Sequence, residues 1–165
     1  MCRSEFAQDF LDSIASNMWI PIQVYEAETK DGRKLSSREV SKILALWMQS
    51  TFGLLTLLSL RHEIRGSWSE WVTEDVRNLP ILNPSLLDSK SVDSLLILWE
   101  NVKDYDWATI HDQLIAVQED RNHKRRKIDE LFCRVLFGDN NPLPDLDEFY
   151  KDLGQEIQKM GNLMK

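Results

Sequence analysis

The second half of the chain repeats hydrophobic side chains at three- and four-residue intervals, in four stretches. Residues at that spacing lie on one face of an α-helix, with polar residues on the opposite face. The third stretch stops at Gly138, a residue type that commonly ends helices. The pattern therefore predicts four amphipathic helices that pack in a core. Their apolar positions are Val92, Leu95, Leu96, Trp99 and Val102; Trp107, Ile110, Leu114 and Val117; Ile128, Leu131, Phe132, Val135 and Leu136; and Leu146, Phe149, Tyr150, Leu153, Ile157 and Met160.

The first half of the chain mixes helical and extended patterns. Residues 5–15 have helical spacing and predict a short amphipathic helix. Residues 19–25 (W-I-P-I-Q-V-Y) are β-branched and aromatic and predict a strand, which the proline confines to a sheet edge or a strand start. K-D-G-R at 30–33 predicts a turn, and the alternation in 68–72 predicts a second short strand.

A helix start follows the turn. Ser36 or Ser37, with Glu39 shortly after it, is typical of a helix N-terminus. The apolar positions beyond predict a helix from about this point. Gly53 is expected to break it and to leave Leu54–Leu60 as a second helix.

No residue from Ile43 to Leu60 carries a charge. This run barely reaches the length of a transmembrane helix, and it contains polar residues such as Gln49. Basic residues, Lys42 and Arg61, flank both of its ends, so it has no orientation preference in a membrane. We interpret the run as buried helical core and expect no membrane association.

Composition agrees with one globular domain. Of 165 residues, 42% are hydrophobic and 28% are charged, and the net charge of −7 argues against nucleic-acid binding through overall charge. Cys2 and Cys133 are too few for a disulfide framework, and the N-terminus lacks the apolar block of an export signal, so we expect a cytoplasmic protein. The predicted fold class is predominantly α-helical (α+β), a helical bundle with a small β-hairpin or short strands near the N-terminal half.

The sequence contains no recognisable catalytic or metal site. His62 and Glu63 begin like a zinc-binding H-E-x-x-H helix, but Gly66 stands where the second histidine is required. His111 and His123 have no cysteine or carboxylate framework at ligand spacing. The glycines form no G-x-G phosphate loop. We therefore expect no metal, no cofactor and no catalysis by this chain alone.

Four segments of the chain stand out in order: A-L-W-M-Q-S-T-F-G-L-L (45–55), R-H-E-I-R-G-S-W (61–68), D-V-R-N-L-P-I-L-N-P (75–84) and R-R-K-I-D-E-L-F-C-R-V-L-F-G (125–138). Together they resemble the C-terminal region of adenine-specific DNA methyltransferases of restriction–modification systems. They are similar to that family's W-L-N-S-T-x-G-L-L segment, R-x-E-x-x-G-x-W turn, L-P-V-L-D-P connector and R-x-x-I-D helix. The resemblance implies a recognition-region-like part at 1–88 followed by a helical part.

The chain also departs from that family. Gln49 replaces the family's asparagine. The Asn/Asp-Pro-Pro-aromatic motif that holds a flipped adenine is missing, since N-P-S-L (83–86) lacks the second proline and the ring. A glycine-rich S-adenosylmethionine loop is also missing. The resemblance thus implies recognition and docking functions at 1–88 and a helical C-terminal part at 89–165, without catalytic machinery. We expect the two parts to form one compact unit.

Arg61, Arg65, Trp68 and Trp71 are candidates for contact with DNA or a protein partner. They surround a glycine turn, where an arginine beside an aromatic ring offers charge and stacking surface together. The alternative is that Arg61 pairs with Glu63 and merely fixes the loop.

Arg125, Arg126 and Lys127 are the other contact candidates, in a basic run that includes Arg121 and Lys124. One interpretation is a patch that contacts DNA phosphates. The alternative is a solvated helix start whose charges are balanced by neighbouring acids. Both interpretations place these side chains at the surface.

Two functions from different classes fit these patterns. The first is a non-catalytic C-terminal fragment or subunit of an adenine DNA methyltransferase, which supports target recognition and docks to the catalytic subunit or domain. Such a chain is expected to bind DNA only weakly alone. The second is an independent helical module for protein–protein interaction or regulation.

Overall fold

The computed structural model describes residues 23–59, 62–63, 69–70, 77–138 and 144–163. Within them the chain is mostly α-helical, with a small antiparallel sheet near the N-terminal half, which confirms the predicted fold class. The described elements are, in chain order, β1 (Ala27–Glu28), β2 (Lys34–Leu35), α1 (Ser37–Gln49), α2 (Thr51–Ser59), β3 (His62–Glu63), β4 (Ser69–Glu70), a 3₁₀ turn (Pro84–Leu86), α3 (Ser89–Val102), α4 (Ile110–Glu119), α5 (Lys124–Phe137) and α6 (Leu146–Leu163).

The strands form two short antiparallel pairs, β1 with β2 and β3 with β4. The predicted turn at 30–33 joins the first pair, and Gly32 has a φ of 86°, which favours glycine. The strand predicted over 19–25 is wrong for its described residues, 23–25, which are irregular because the turn sets a register that starts pairing at β1. The second pair agrees with the strand predicted near 68–72.

The hairpin turn is fastened to the N-terminus of α3. The Asp31 carboxylate accepts hydrogen bonds from the Thr29 hydroxyl at 2.5 Å and from the Ser89 backbone N–H at 3.0 Å. These bonds, the one from Thr29 first, lower the pKa of Asp31 to about 2. Asp88, the N-cap residue of α3, pairs with Lys30 at 3.2 Å. Because carboxylates are favoured at helix N-termini, the two acids hold hairpin and helix together.

α1 begins where the sequence predicts. Ser36 and Glu39 form a reciprocal capping box, in which Glu39 Oε2 accepts the Ser36 N–H at 2.9 Å and Ser36 Oγ accepts the Glu39 N–H at 3.3 Å. The helix then buries one apolar face, formed by Val40, Ile43, Leu46 and Trp47.

The chargeless run forms two helices, α1 and α2, with a 74° bend between them. The break lies at Ser50, so the predicted break at Gly53 is wrong. Ser50 Oγ donates to the Trp47 carbonyl at 2.6 Å and accepts the Gly53 N–H at 3.0 Å, which caps α2. Gly53 does not break the helix but allows close packing at the bend, because a Cβ there would lie 2.1 Å from the Trp47 carbonyl oxygen. The bend brings two backbone segments so close that no side chain fits between them.

The two helices of the run differ in burial. The interpretation as buried core is confirmed for α1, where Ile43 and Leu46 are buried. In α2 only Thr51 and Gly53, at its first turn, are buried, and its leucines are half-buried. No single helix among the described residues is long and apolar enough to cross a membrane; α1 and α2 reach that length only as a bent pair.

α5 lies between two hydrophobic clusters. Ile128 and Phe132 pack with β2, α1 and α3 in the first cluster, and Cys133 packs with α4 and α6 in the second. Residues of both predicted parts, 1–88 and 89–165, contribute to the first cluster. The boundary between these parts stays a prediction.

The four C-terminal stripes correspond to α3, α4, α5 and α6. α5 ends at Gly138, whose φ is 78° and whose N–H donates to the Arg134 carbonyl at 2.9 Å. Two positions differ from the pattern: Trp107 precedes α4, and Leu136 is 42% exposed.

We predict that Gly53→Ala lowers the free energy of unfolding by about 1–3 kcal/mol, because the new methyl group meets backbone atoms that cannot move aside. The control is Gly154→Ala in α6, where the nearest atom to a new Cβ is the flexible Gln118 Nε2 at 4.0 Å. That change is expected to stabilise the protein by up to about 1 kcal/mol through helix propensity. Urea denaturation measures both, and equal effects would contradict the steric explanation.

Candidate functional site

Four of the predicted contact residues, Arg61, Arg65, Trp68 and Trp71, lie outside the residues that the structure describes. In the sequence they stand beside or between β3 and β4, which pair His62 with Glu70 and Glu63 with Ser69. Their contact function stays a prediction.

Arg125 is inside the protein, and only 1% of its surface is exposed. Its Nε donates to Gln113 Oε1 of α4 at 3.0 Å, and its Nη1 donates to Thr51 Oγ1 of α2 at 3.4 Å. Burial is the largest influence on this guanidinium and lowers its pKa, and the nearby Asp129 opposes that effect. The prediction of a surface contact is wrong for Arg125, because its donors are directed at partners in the core.

Asp129, one turn further along α5, is the centre of this polar network. It is fully buried, and its carboxylate accepts hydrogen bonds from the Thr51 N–H at 2.7 Å, the Thr51 hydroxyl at 2.6 Å and the Tyr150 hydroxyl at 2.9 Å. Burial raises the pKa of Asp129, whereas these donors and the charge of Arg125 oppose the rise. All three bonds use Asp129 as an acceptor, which is the role of an ionised carboxylate.

The network joins four helices. Arg125 and Asp129 come from α5, Thr51 from α2, Gln113 from α4 and Tyr150 from α6. Tyr150 remains a neutral donor, since burial and then the Asp129 charge raise its pKa. A buried charge is tolerated only when hydrogen bonds and an opposite charge compensate its lost hydration. The network therefore stabilises the packing of the four helices, and its buried side chains are not accessible to a substrate.

Arg126 is directed to α6. Its Nη1 donates to Asp147 at 2.5 Å, its Nε donates to Glu130 at 3.1 Å, and its guanidinium lies 5.9 Å from the centre of the Tyr150 ring. The hydrogen bond to Asp147 is the largest influence and raises the pKa of Arg126. With 9% of its side chain exposed, Arg126 links two helices and offers little surface to a partner.

The basic run thus divides between core and surface. Lys127 and Arg121 are exposed, although Arg121 pairs with Asp147 at 3.1 Å. Both interpretations place the run at the surface, which is wrong for Arg125 and Arg126, because both are buried. Asp129, one of the acids expected to balance the run in solvent, is buried too. The contact function predicted for Lys127 stays a prediction.

Sequence reasoning missed the network, although one signal for it was present. Arg125 and Asp129 stand at helical spacing with Ile128 and Phe132, which places all four side chains on one face of α5. Charged residues inside an apolar stripe are expected to be buried with partners. The partner Thr51, 78 positions away from Asp129, gives no such signal.

Trp47 lies in the core, as its place on the apolar face of α1 predicts, and it stands beside the bend. Its ring is stacked on Phe52 with centroids 6.3 Å apart and meets the edge of Phe132 at 5.4 Å. The indole N–H is buried and has no acceptor among the described residues, so Trp47 contributes through its ring area. Metal binding has no support in the described part of the chain, where no group of three or more His, Cys, Asp or Glu could hold an ion.

No protein-family model, curated protein or solved structure matches the chain. The resemblance to methyltransferases therefore depends on the sequence motifs alone, and membership of that family is a proposal.

We predict that Arg125→Met lowers the free energy of unfolding by about 3 kcal/mol, because it leaves Asp129 without its compensating charge and Gln113 without its donor. Lys127→Met removes the same charge from the exposed face of the same helix and should change stability by less than about 0.5 kcal/mol. Chemical denaturation compares the two, and similar small losses would show that Arg125 is not held in the core.

His123 caps the start of α5. Its Nδ1 accepts the Arg125 backbone N–H at 3.3 Å, which requires the neutral imidazole. Burial, followed by the charge of Arg125, lowers the pKa of His123 below 6.5, and Asp120 partly opposes this shift. The unfolded chain therefore binds a proton at a higher pH than the folded protein does, and acid favours unfolding.

We predict that stability falls as pH decreases through 6.5 towards the lower pKa of folded His123. His123→Asn keeps a side-chain acceptor at the cap without a titrating group, so it should flatten the pH dependence between pH 7 and about 5. His111, which is exposed, is the control, and His111→Asn should leave the slope unchanged. Thermal melts across this range test the assignment, which fails if both variants behave alike.

Proposed function

We propose that this chain is a non-catalytic C-terminal region or subunit of an adenine-specific DNA methyltransferase, which supports target recognition and docks to the catalytic core. The observation that carries the proposal is that two of the resembling segments, 45–55 and 125–138, meet in one buried network. Thr51 of the first segment binds Asp129 of the second, and Arg125 of the second reaches Thr51.

This contact supports the proposal because the residues shared with the family take part in one structural feature, the bend between α1 and α2. The tryptophan, threonine and glycine of the first segment are Trp47, Thr51 and Gly53, and all three lie at the bend. The arginine and aspartate of the fourth segment hold that bend from α5. The residues that carry the resemblance thus contact one another, which supports the proposal. Gln49, the departure from the family, is not a member of the network.

In this proposal the partner supplies the cofactor pocket and the adenine pocket, which this sequence lacks. The chain contributes the β3–β4 region and its neighbouring basic and aromatic residues. Its net charge of −7 opposes phosphate binding, so DNA binding is weak until the catalytic component is present. A cytoplasmic location, where the chromosome of a bacterial cell lies, belongs to the same proposal.

The alternative is a helical module that binds another protein. The half-buried leucines of α2, such as Leu54, Leu55 and Leu58, favour it, because they leave apolar surface for a partner to cover. The partner that co-purifies with the chain distinguishes the two functions.

We predict that a methyltransferase catalytic subunit co-purifies with the tagged chain from its own cells, and that the chain alone binds no S-adenosylmethionine in calorimetry. Replacing Arg65 and Trp68 by alanine should reduce recovery of that subunit while the melting temperature changes by only about 3 °C or less. Replacing Arg38 and Tyr25, an arginine and an aromatic residue that are exposed, is the matched control. Recovery of an unrelated protein with no methyltransferase would favour the helical module.

A further inference from the structure

We propose that Thr51 and Asp129 are positioning residues: their contact fixes the direction of α2 and, through α2, the placement of the β3–β4 pair. The step from this geometry to DNA recognition rests on the proposed function; the step from contact to placement does not.

The contact between Thr51 and Asp129 supplies a hydrogen-bond acceptor that the bend takes away from the start of α2. A break at Ser50 leaves the first N–H groups of α2 without helical acceptors. Asp129 accepts the Thr51 N–H at 2.7 Å, and Ser50 Oγ accepts the Gly53 N–H at 3.0 Å. Asp129 also binds the Thr51 hydroxyl, so one carboxylate holds the first residue of α2 at two atoms. Two hydrogen bonds donated by Thr51 to one rigid carboxylate fix an orientation as well as a position.

Asp129 is itself a fixed point. α5 packs into both hydrophobic clusters, and the Tyr150 hydroxyl of α6 holds the same carboxylate at 2.9 Å. The remainder of α2 makes only apolar contacts of half-buried side chains, through Leu54, Leu55 and Leu58 against the second cluster, whereas Thr51 and Gly53 are buried. The N-terminal contact is therefore the best-anchored point of α2, and the direction of the helix depends on it.

α2 transmits that direction to the strand pair. A nine-residue helix is about 13 Å long, so a rotation of roughly 20° about Thr51 would displace its far end by about 4–5 Å. β3 begins at His62, and only two residues separate it from Ser59, the last residue of α2. Ser59 and His62 are three peptide units apart, so their Cα atoms lie at most about 11 Å from each other, and the start of β3 stays close to the end of α2. The predicted contacts Arg61 and Arg65 stand directly beside β3 in the sequence.

Hydrogen–deuterium exchange on the full chain tests the proposal. Thr51→Val keeps the side-chain shape and removes the hydroxyl, and we expect exchange in α2 and β3–β4 to accelerate about tenfold while α4 and α6 stay unchanged. Thr51→Ser keeps the hydroxyl and should retain the original protection. Asp129→Ala should enlarge the effect in α2 and β3–β4 and should also loosen α6, because it removes the acceptor of the Tyr150 hydroxyl as well. If this variant does not fold, the two Thr51 variants decide.

Asp147→Asn is the control. Asp147 is also a carboxylate that binds an arginine of α5, Arg126, but it belongs to α6 and does not contact α2 through that bond. It should loosen α6 and leave α2 and β3–β4 protected. Uniform acceleration in Thr51→Val, no change in it, or the same pattern in Asp147→Asn would overturn the positioning role. These readouts need no partner, so they separate this inference from the proposed function. If exchange behaves as expected but no methyltransferase subunit co-purifies, the placement stands and the function fails.

Discussion

A carboxylate buried among four helices is the constraint on which the rest of this structure depends. Asp129 can lose its water only because the Thr51 N–H, the Thr51 hydroxyl and the Tyr150 hydroxyl replace it, with the charge of Arg125 nearby. Two of these donors belong to α2 and the third to α6, so the carboxylate determines where α2 and α6 meet α5. Apolar packing alone tolerates sliding of one helix on another. A set of directional bonds to one group does not, and it selects a single arrangement.

α5 has a buried face that contains charged residues and an exposed face that is also charged. One face carries hydrophobic and charged residues together into the core, and the other remains charged and exposed at Lys127. This explains how four consecutive basic residues can begin a helix, where the dipole disfavours them. Arg125 and Arg126 are held by partners on other helices, so their favourable contacts lie across the fold. Charge in a sequence therefore does not by itself indicate surface.

Local signals predicted much of the fold. Hydrophobic spacing gave the four C-terminal helices, and the end of α5 at Gly138 followed from a residue type that suits a positive φ. The bend at Ser50 was not predictable, because no proline marks it and its second cap comes from Asp129 in a distant helix. Only part of the buried network could be predicted. Helical spacing places Arg125 on the apolar face of α5, but no rule of spacing identifies Thr51 as its neighbour.

The separation of Thr51 and Asp129 by 78 positions also matters while the protein is being made. A ribosome adds this much chain in roughly 4 to 16 seconds at bacterial to eukaryotic rates. During that interval the chargeless run has left, or is leaving, the exit tunnel before the carboxylate that orients its second helix exists. An apolar segment without its partner is a target for chaperones and a risk for aggregation. The nascent chain thus carries an incomplete core until α5 has been synthesised.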